Sequence, residues 1–528
     1  MTDFHVITRA LGSSALARLA LGGDAPQDWY PPVPAGAEEW RARAESVRRD
    51  FAGAAWAESL REALAPAGRA AERLTRVAEG GGVVVTTGQQ PGLFGGPIYT
   101  FSKALTALAL ADALERATGI PTAPVFWAAT YDADFAEASV TYVAIGERVE
   151  RLQMAAPPVA DLEMSVTPLG DVGAQVRILE RAAGSAADPA VIELVRSAYS
   201  RDATVGSAFV ALMRGVLEPL GIAVLDAAHP SVRDAERPLM LRSLERAQAV
   251  DDALARRERE MRESGHEPQV AHVDGLSLVF EVKNGSRERI PIAPLQPAGV
   301  DAARGTLEPN VLLRPIAERA ILPTVAYAAG PGELGYFAQV SAVADALGAA
   351  QPLAVPRWSG LIVEPHVRRI LDRNDLEVDD LGNADATLGR LARELLSDRV
   401  RGALAGYRSA LDSAAAELSA AVADSDAPLV PDPVLTGARN SIGHRLDRLE
   451  RRVVAASKRK HDQLVRDVET ARASLFPLGR PQERMLTLMP MLARHGEPLL
   501  EAMLERAREH AASLVEGTLV STGRAIAR

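Results

Sequence analysis

The fold is decided by residues 81–137, which read GGVVVTTGQQPGLFGGPIYTFSKALTALALADALERATGIPTAPVFWAATYDADFAE. The β-branched run Gly81–Thr87, bounded by glycines, predicts a short buried strand. A turn-rich loop follows, and Pro97 is well placed as the first residue of a helix because no donor is needed there. The helix is predicted to run to about Thr118, and Thr122–Thr130 predicts a second buried strand. Strand, glycine-rich loop, helix and strand form one βαβ unit, which indicates an α/β fold.

Composition narrows the class of protein. The chain has 528 residues, of which 47% are hydrophobic and 24% charged, as is typical of a globular protein. The net charge of −10 argues against nucleic acid as a partner, and the absence of cysteine excludes disulfides and thiolate chemistry. The first residues make a poor signal peptide, and the most apolar helical stretch contains Lys103 and Asp112. We therefore expect a cytoplasmic protein without a membrane span.

The chain is predicted to contain an α/β core with two insertions, a helical coiled-coil hairpin, and short helices that return to the core. These regions span residues 1–375 (insertions at about 146–205 and 235–305), 376–476 and 477–528. The second insertion contains a charged helix and antiparallel strands, and Asn284–Gly285 is predicted to form the hairpin turn between those strands.

Four glycines, at positions 88, 92, 95 and 96, lie in the loop between the first strand and the helix. Such a loop lets backbone N–H groups approach an anion, and the helix dipole favours negative charge at this end. The loop has neither the P-loop nor the GxGxxG pattern, so a tight turn without a ligand is an equally good interpretation. Lys103, in the early turns of the helix, could point toward this site or lie on the solvated face.

An acidic stretch, Tyr131–Glu137, follows the second strand. Asp132 and Asp134 lie at the carboxyl end of that strand, where open α/β sheets bind ligands. Paired carboxylates there can hydrogen-bond an amine or hydroxyl, take a proton or bind a cation. The alternative is that Asp132 caps the next helix.

A third candidate segment is Ala328–Phe337, which reads AAGPGELGYF. Gly330 and Gly332 permit unusual backbone angles, and Glu333 lies at a helix start, so ligand binding and a dipole-favourable cap are both open interpretations. Three polar residues near predicted strand ends could bind a carboxylate or phosphate, or form ordinary ion pairs and hydrogen bonds: Arg314, Arg357 and Ser359. The histidines show no metal-ligand spacing, so we place no metal on them.

Several long motifs occur in the order expected of one known family. They are TTGQQPGLFGGPIYTFSKALTA, PVFWAATYDADFAE, PNVLLRP, LPTVAYAAGPGELGYFAQV, PRWSGLIVE and PQER, and they lie within Gly81–Arg484. In these motifs the chain resembles the bacillithiol-biosynthesis cysteine-adding enzymes, the BshC family. The resemblance implies a Rossmann-like nucleotide-binding core with inserted connecting segments and a C-terminal coiled-coil domain that dimerises.

The resemblance also implies a reaction that joins the carboxyl group of cysteine to the amine of glucosaminyl-malate. Because an amine does not displace hydroxide from a carboxylate, activation by ATP or a related adenine nucleotide is implied as well. The nucleotide would bind at Thr87, Gly88, Gln90, Gly95, Gly96, Gly330 and Gly332. The substrates would bind at Gln89, Tyr99, Lys103, Arg314, Glu333, Arg357 and Ser359. Asp132 and Asp134 would orient the amine or take its proton.

Two positions depart from the family pattern. Ala133 lies between Asp132 and Asp134 where the pattern has histidine, so a histidine base cannot be assigned here. The strip Ala317–Arg319 occupies the place of an expected Gln-Asp pair. These departures leave two alternatives to the ligase: a non-catalytic homologue that binds a nucleotide or metabolite, and a different transferase or ligase on the same scaffold.

Both arms of the helical region carry apolar residues at helical spacing. The first arm has Leu388, Leu391, Leu395, Leu404, Leu411 and Leu418, and the second has Ile442, Leu446, Leu449, Val453, Ala456 and Leu464. A hairpin that pairs only with itself cannot bury both stripes, because the outer flanks stay exposed. We therefore predict a homodimer through the coiled coil, and the alternative is that the hairpin folds back onto its own core.

Overall fold

The computed structural model describes residues 4–12, 15–22, 25–26, 28–157, 159–283, 286–292, 305–424 and 430–518. The chain forms two compact units, made of residues 1–143, 150–362 and 482–528, and of residues 144–149 and 363–481. The units divide after residues 362 and 481, whereas the predicted helical region begins at 376 and ends at 476. The predicted turn Asn284–Gly285 lies outside the described residues.

Strands and helices alternate through most of the first unit. The strands of the described chain are β1 (His5–Thr8), β2 (Val83–Gln89), β3 (Thr122–Ala128), β4 (Val140–Ile145), β5 (Arg148–Gln153), β6 (Ala223–Asp226), β7 (Leu276–Lys283), β8 (Ser286–Pro291), β9 (Thr306–Pro309), β10 (Thr324–Ala329), β11 (Ala354–Pro356) and β12 (Gly360–Val363). The longer helices are Ala15–Gly22, Gly36–Asp50, Gly68–Glu79, Ile98–Thr118, Gly173–Ala183, Pro189–Ala198, Val205–Leu217, Pro230–Glu245, Ala247–Glu263, Arg314–Ile321, Pro331–Leu347 and Glu497–Glu516. Shorter helical turns are Trp56–Ser59, Arg61–Leu64, Leu93–Gly95, Phe135–Ala138, Glu218–Leu220, Gln482–Met485 and Met489–His495.

Five strands form a parallel sheet in the order β11-β10-β2-β3-β6. β2 pairs with β3 along its whole length, and helix Ile98–Thr118 connects the two strands. The predicted strand–helix–strand unit and the α/β fold class are therefore confirmed. One detail differs, since Pro97 is the extended N-cap residue and the helix begins one position later.

The strand order places a topological switch between β2 and β10. From β2 the chain continues to β3 and β6 on one side, and it later returns to add β10 and β11 on the other. The connections that follow β2 and β10 therefore leave the sheet in opposite directions and open a crevice at its carboxyl edge. The glycine-rich loop after β2 and the segment Gly330–Glu333 after β10 both begin at this crevice.

Helix Ile98–Thr118 is buried almost all round. The sheet covers one side, and the helix Glu497–Glu516 covers another. Leu105 and Leu110 are fully buried, and each such side chain contributes roughly 1.5–3 kcal/mol when it leaves water. Because nearly every face of this helix is apolar, the charged side chain of Lys103 within it requires a buried partner.

A smaller antiparallel sheet has the order β8-β7-β9. Its first two strands lie in the predicted second insertion, where antiparallel strands were expected, and this expectation is confirmed. Arg287 and Arg289 alternate with Glu288 along β8, so the two arginines lie on one face of the sheet.

The second unit is helical. Its helices and helical turns are Pro365–Arg373, Val378–Asn383, Ala384–Glu394, Asp398–Ala423, Asp432–Lys460, Asp462–Leu475 and Pro477–Gly479. The two longest helices pack against each other, which confirms the predicted helical hairpin, although further short helices interrupt both arms. In the described part of the chain, no helix combines the length and apolarity that a bilayer crossing requires.

The backbone N–H groups of the glycine-rich loop and of the helix start that follows it donate hydrogen bonds to other groups of the protein. The N–H of Gly95 donates to the hydroxyl of Tyr199 at 3.3 Å, and the N–H of Gly96 donates to a carbonyl within the loop at 3.2 Å. The N–H of Ile98, at the helix start, donates to the carbonyl of Leu486 at 2.8 Å. This corrects the predicted role of Gly95 and Gly96: their amides are already occupied, and the tight-turn interpretation describes them.

Replacement of Gly96 should cost stability. This residue adopts φ 71° and ψ −162°, a conformation that is essentially restricted to glycine. We expect Gly96→Val to lower the free energy of unfolding by about 1–3 kcal/mol. Gly332→Ala is the matched control, because a Cβ there meets open space and φ lies outside the left-handed region. Urea unfolding followed by circular dichroism measures both variants, and a Gly96→Val protein as stable as wild type would contradict this loop conformation.

Candidate active site

A cavity of about 650 Å³ opens at the carboxyl edge of the parallel sheet. This is a common size for a small-molecule site. Residues at the ends of β2, β3 and β10 line it, together with residues of the antiparallel sheet. Five predicted residues from the end of β2 and from the loop and helix that follow are brought there: Gly88, Gln89, Gln90, Tyr99 and Lys103. Six more come from other segments: Asp132, Arg314, Gly330, Gly332, Glu333 and Arg357. Five predicted residues do not line the cavity: Thr87, Gly95, Gly96, Asp134 and Ser359.

Lys103 lines the cavity with only 3% of its side chain exposed. Its Nζ lies 2.7 Å from Glu333 Oε2 and 3.4 Å from Gln89 Oε1, and it donates to the carbonyl oxygen of Gly88. The ammonium group thus has three acceptors around it. Of the two open interpretations, the structure places this side chain toward the site rather than on the solvated face.

Both carboxylate oxygens of Glu333 accept hydrogen bonds from groups of the protein. Its Oε1 accepts from the hydroxyl of Tyr327 at 2.5 Å, and its Oε2 accepts from the N–H of Gly330 at 2.7 Å. Burial raises the pKa of this carboxyl, but Lys103, Arg314 and the hydrogen bonds outweigh burial and hold the pKa below its usual value. Burial lowers the pKa of Lys103, and Glu333 opposes that shift. The cap interpretation of Glu333 is therefore confirmed, and the residue also forms part of the cavity wall, while ligand binding by it stays a prediction.

Arg314 extends this buried network. Its Nη1 lies 3.2 Å from Glu318 Oε2, and its Nη2 donates to the hydroxyls of Tyr327 at 3.2 Å and Tyr336 at 3.3 Å. Burial raises the pKa of Glu318 to about 7, although Arg314 opposes the rise. Glu318 belongs to Ala317–Arg319, the strip that departs from the family pattern, so this strip still supplies an acid to the network.

Arg357 is fixed in the cavity wall by the carboxyl-terminal segment. Its Nη1 and Nη2 lie 2.8 and 2.7 Å from the two carboxylate oxygens of Glu483, which is a bidentate pair. The hydroxyl of Ser359 donates to the same carboxylate at 2.9 Å. The predicted substrate-binding role of Ser359 is thereby corrected to one of positioning Glu483, because its hydroxyl is used inside the protein.

The acidic stretch after β3 divides between the cavity and the surface. Asp132 lines the cavity, and its Oδ1 accepts from the N–H of Asp134 at 2.7 Å. Asp134 is exposed, and its Oδ1 accepts from the N–H of Glu137 at 3.0 Å, which caps the helix Phe135–Ala138. Asp134, and not Asp132, therefore caps this helix, and Asp132 is the carboxylate of the acidic stretch that lines the cavity.

Four buried polar atoms of cavity-lining residues have no hydrogen-bond partner among the described residues: Trp127 Nε1, Tyr131 Oη, Arg287 Nε and Arg357 Nε. An unpaired buried donor costs roughly 1–3 kcal/mol. Burial raises the pKa of Tyr131, so its hydroxyl keeps the proton that it can donate. Unpaired donors in a cavity wall are the groups that a bound ligand or water satisfies.

The cavity lining is strongly cationic. It contains six basic residues, Lys103, Arg287, Arg289, Arg314, Arg357 and Arg484, against two acidic residues, Asp132 and Glu333. Such a balance attracts anionic ligands. The sequence did not identify Arg287, Arg289 or Arg484 as site residues. The available signals were the spacing of the first two along one predicted strand, and the position of Arg484 in the PQER motif.

The pairing of Lys103 with Glu333 can be tested by a double-mutant cycle. Lys103→Met removes the nearer of the two cations beside Glu333, since Arg314 lies 3.9 Å away, so we expect it to lower the free energy of unfolding by at most about 3–5 kcal/mol. Lys103→Met/Glu333→Gln removes both charges and should recover part of that loss. Chemical denaturation measures the coupling between the two sites. Losses that simply add in the double variant would contradict the ion pair.

Several known proteins are similar to this chain. Residues 24–294 and 299–358 match the family described as Bacillithiol biosynthesis BshC, N-terminal Rossmann-like domain, and residues 360–513 match Bacillithiol biosynthesis BshC, C-terminal coiled-coil domain. A relative from Solibacter usitatus is 31% identical over 450 residues, which cover 80% of this chain and 82% of the relative. A relative from Symbiobacterium thermophilum is 29% identical over 534 residues, which cover 90% and 93%. Both relatives carry the name "Putative cysteine ligase BshC". The chain therefore belongs to the BshC family of bacillithiol biosynthesis.

Proposed function

We propose that this protein is a cysteine ligase, which joins the carboxyl group of cysteine to the amine of glucosaminyl-malate and consumes ATP or a related adenine nucleotide. The observation that carries the proposal is the cationic cavity at the switch point of the parallel sheet. All three compounds bear carboxylate or phosphate groups, which a lining of this charge attracts. The relatives are named as cysteine ligases, which supports the part of the proposal that concerns ligation of cysteine.

Amide formation requires an activated carboxylate, since hydroxide is too poor a leaving group. When bound, the nucleotide would supply this activation by converting the cysteine carboxylate into an acyl derivative with a good leaving group. The amine nitrogen then attacks the carbonyl carbon, the C–N bond forms, and the bond from carbon to the leaving group breaks. The nitrogen must lose a proton, so a basic group next to the amine assists the step.

Asp132 is the residue that best fits this role. Of the two carboxylates in the cavity lining, Glu333 has both oxygens occupied by donors of the protein. Asp132 uses Oδ1 for a backbone N–H, and its Oδ2 has no hydrogen-bond or ion-pair partner among the described residues. A carboxylate oxygen in this state can bind an ammonium group and accept a proton from the amine. Because Ala133 stands where the family pattern has histidine, Asp132 would act without an adjoining imidazole.

We place the nucleotide against the backbone at Gly88, Gln90, Gly330 and Gly332. Glycine lets a ligand approach the main chain closely, and the ligand would meet these residues without their N–H groups at Gly88 and Gly330, which donate to Tyr327 and Glu333. We also propose a cytoplasmic location, which a chain without cysteine fits.

The ligation can be measured by mass spectrometry of reactions that contain cysteine, glucosaminyl-malate and ATP. We expect wild type to form the amide, and Asp132→Asn to lower kcat by about 10²–10⁴-fold, because the amine loses its proton acceptor. Asp134→Asn is the matched control. It removes the same charge two positions away, its side chain is exposed, and asparagine also caps a helix.

Two results would contradict parts of this proposal. A wild-type rate in Asp132→Asn would exclude Asp132 from the proton transfer. Clear ATP binding by wild type without any product would favour the non-catalytic homologue. Ala133→His is a complementary variant, and a gain of ligation in it would show that the native chain lacks a group that other family members use.

We also propose that two chains associate through the helical unit. Large apolar residues remain exposed there in the single chain: Leu395, Val400, Tyr407, Leu418, Val434, Ile442 and Leu449. Other members of the predicted stripes are buried: Leu388, Leu391 and Leu446. An exposed apolar surface of this kind is typical of an interface, and a second copy across a two-fold axis would cover it.

The dimer can be tested with two charged substitutions. Ile442 and Leu449 are seven residues apart on one side of the helix Asp432–Lys460, so Ile442→Glu/Leu449→Glu should disrupt the interface. Ser441→Glu/Arg448→Gln is the control, because it changes the charge by the same amount at exposed polar neighbours. Light scattering should give twice the chain mass of 56.1 kDa for wild type and control, and the single mass for the disrupted variant. A monomeric wild type at micromolar concentration would refute the dimer.

A further inference from the structure

We propose, on the basis of the ligase function above, that the side of the cavity formed by β7 and β8 binds the malyl carboxylates of the amine acceptor. In this proposal Arg287 determines acceptor specificity and Tyr131 assists it. The chemistry recognised is that of an oxyanion, which could be a carboxylate of the acceptor or a phosphate of the nucleotide. The geometry favours the acceptor.

Aromatic and acidic side chains of the protein fix the position of the Arg287 guanidinium. Its guanidinium carbon lies 4.4 Å from the ring centre of Phe280 and 5.7 Å from that of Tyr131. Its Nε lies 2.9 Å from Glu308 Oε2, and 14% of the side chain is exposed. Nη1 and Nη2 have no hydrogen-bond partner among the described residues. A planar guanidinium fixed in this way is suited to bidentate recognition of a carboxylate.

Tyr131 provides a second, independent observation at the same place in the cavity. The residue is 4% exposed and lines the cavity, yet its hydroxyl has no hydrogen-bond partner among the described residues. The hydroxyl therefore carries a desolvation cost that a ligand oxygen would remove. Since the Tyr131 ring lies beside the guanidinium of Arg287, both residues can contact one anionic group.

The positive charge of Arg287 is only partly cancelled. Glu308, its acidic neighbour, also lies 2.6 Å from Arg233 Nη2, which in turn lies 2.6 Å from Glu163. Burial, and after it the nearby Glu163, raises the pKa of Glu308 above its usual value, although both arginines oppose the rise. A glutamate with a raised pKa is a weaker counter-ion near neutral pH, so Arg287 can bind a further anion.

The position of Asp132 favours the acceptor over the nucleotide. Asp132 follows Tyr131 directly in the chain, so the proposed partners of the amine and of the carboxylates lie on the same wall. In glucosaminyl-malate the malyl group is attached to the sugar carbon next to the one that bears the amine, so one bound molecule can reach both. The glycines beside which we place the nucleotide lie instead at the ends of β2 and β10, at Gly88 and Gly330.

Calorimetric titrations with L-malate and with ADP test this assignment. We expect Arg287→Gln to weaken malate binding by about 10–100-fold, because it removes a bidentate charged contact, and to leave ADP affinity unchanged. Lys283→Gln is the matched control. It removes the same charge from β7, where the side chain is 61% exposed and outside the cavity, and it should bind both ligands as wild type does.

Two outcomes of the titrations overturn the assignment: unchanged malate affinity in folded Arg287→Gln, or a loss of ADP affinity with malate affinity retained. The second would assign the oxyanion to the nucleotide. If Arg287→Gln fails to fold because Glu308 loses its cation, Arg287→Gln/Glu308→Gln removes both charges and repeats the measurement. Arg287→Lys keeps the charge without the planar fork, so its malate affinity should lie between those of wild type and Arg287→Gln.

Steady-state kinetics distinguish failure of this site from failure of the ligase function. Arg287→Gln should raise KM for glucosaminyl-malate by about 10–100-fold with kcat nearly unchanged, while kcat/KM for methyl glucosaminide, which has no carboxylate, should equal that of wild type. Equal losses with both acceptors would overturn the site and leave ligation intact. Absence of ligation by wild type, with malate binding still dependent on Arg287, would refute the ligase function and support the anion site.

Discussion

The buried ion pair between Lys103 and Glu333 is the constraint on which the rest of the site depends. At this depth either charge alone would be very costly, and each removes the penalty of the other. Through Gly88 and Gly330, the pair also joins the ends of β2 and β10, the two strands that flank the topological switch. The crevice between those strands therefore has fixed walls before a ligand arrives, and Glu333 is neutralised internally. Of the surrounding arginines, Arg289 and Arg484 form no ion pair among the described residues and are left to attract anions.

The central strand–helix–strand unit could be predicted because its signals are local. A β-branched run, glycines at the turns and an apolar helix lie next to one another in the chain. The same locality explains the correction at Gly95 and Gly96. A glycine-rich loop before a helix looks open to an anion in the sequence, but the carbonyl of Leu486, remote in the chain, occupies the helix start. A contact between residues so far apart in the chain leaves no periodic pattern in the sequence.

The candidate site could be predicted only in part, for a related reason. Residues after β2 and β10 were identified because parallel sheets bind ligands at their carboxyl ends. Arg287 and Tyr131 were not, since an arginine on an antiparallel strand is usually solvated and an aromatic residue at a strand end usually belongs to the core. Their proximity depends on how β8 folds beside the main sheet, and that packing is not encoded in any short motif. The unpaired hydroxyl of Tyr131 becomes visible only in three dimensions.

Soaking crystals of this protein with L-malate tests most directly whether acceptor carboxylates bind at the switch point of the sheet. We predict electron density for malate in the cavity, with a carboxylate within hydrogen-bond distance of Arg287. Malate bound elsewhere would contradict this account, for example in the groove lined by Arg69, Arg73 and Arg116, with only water in the cavity.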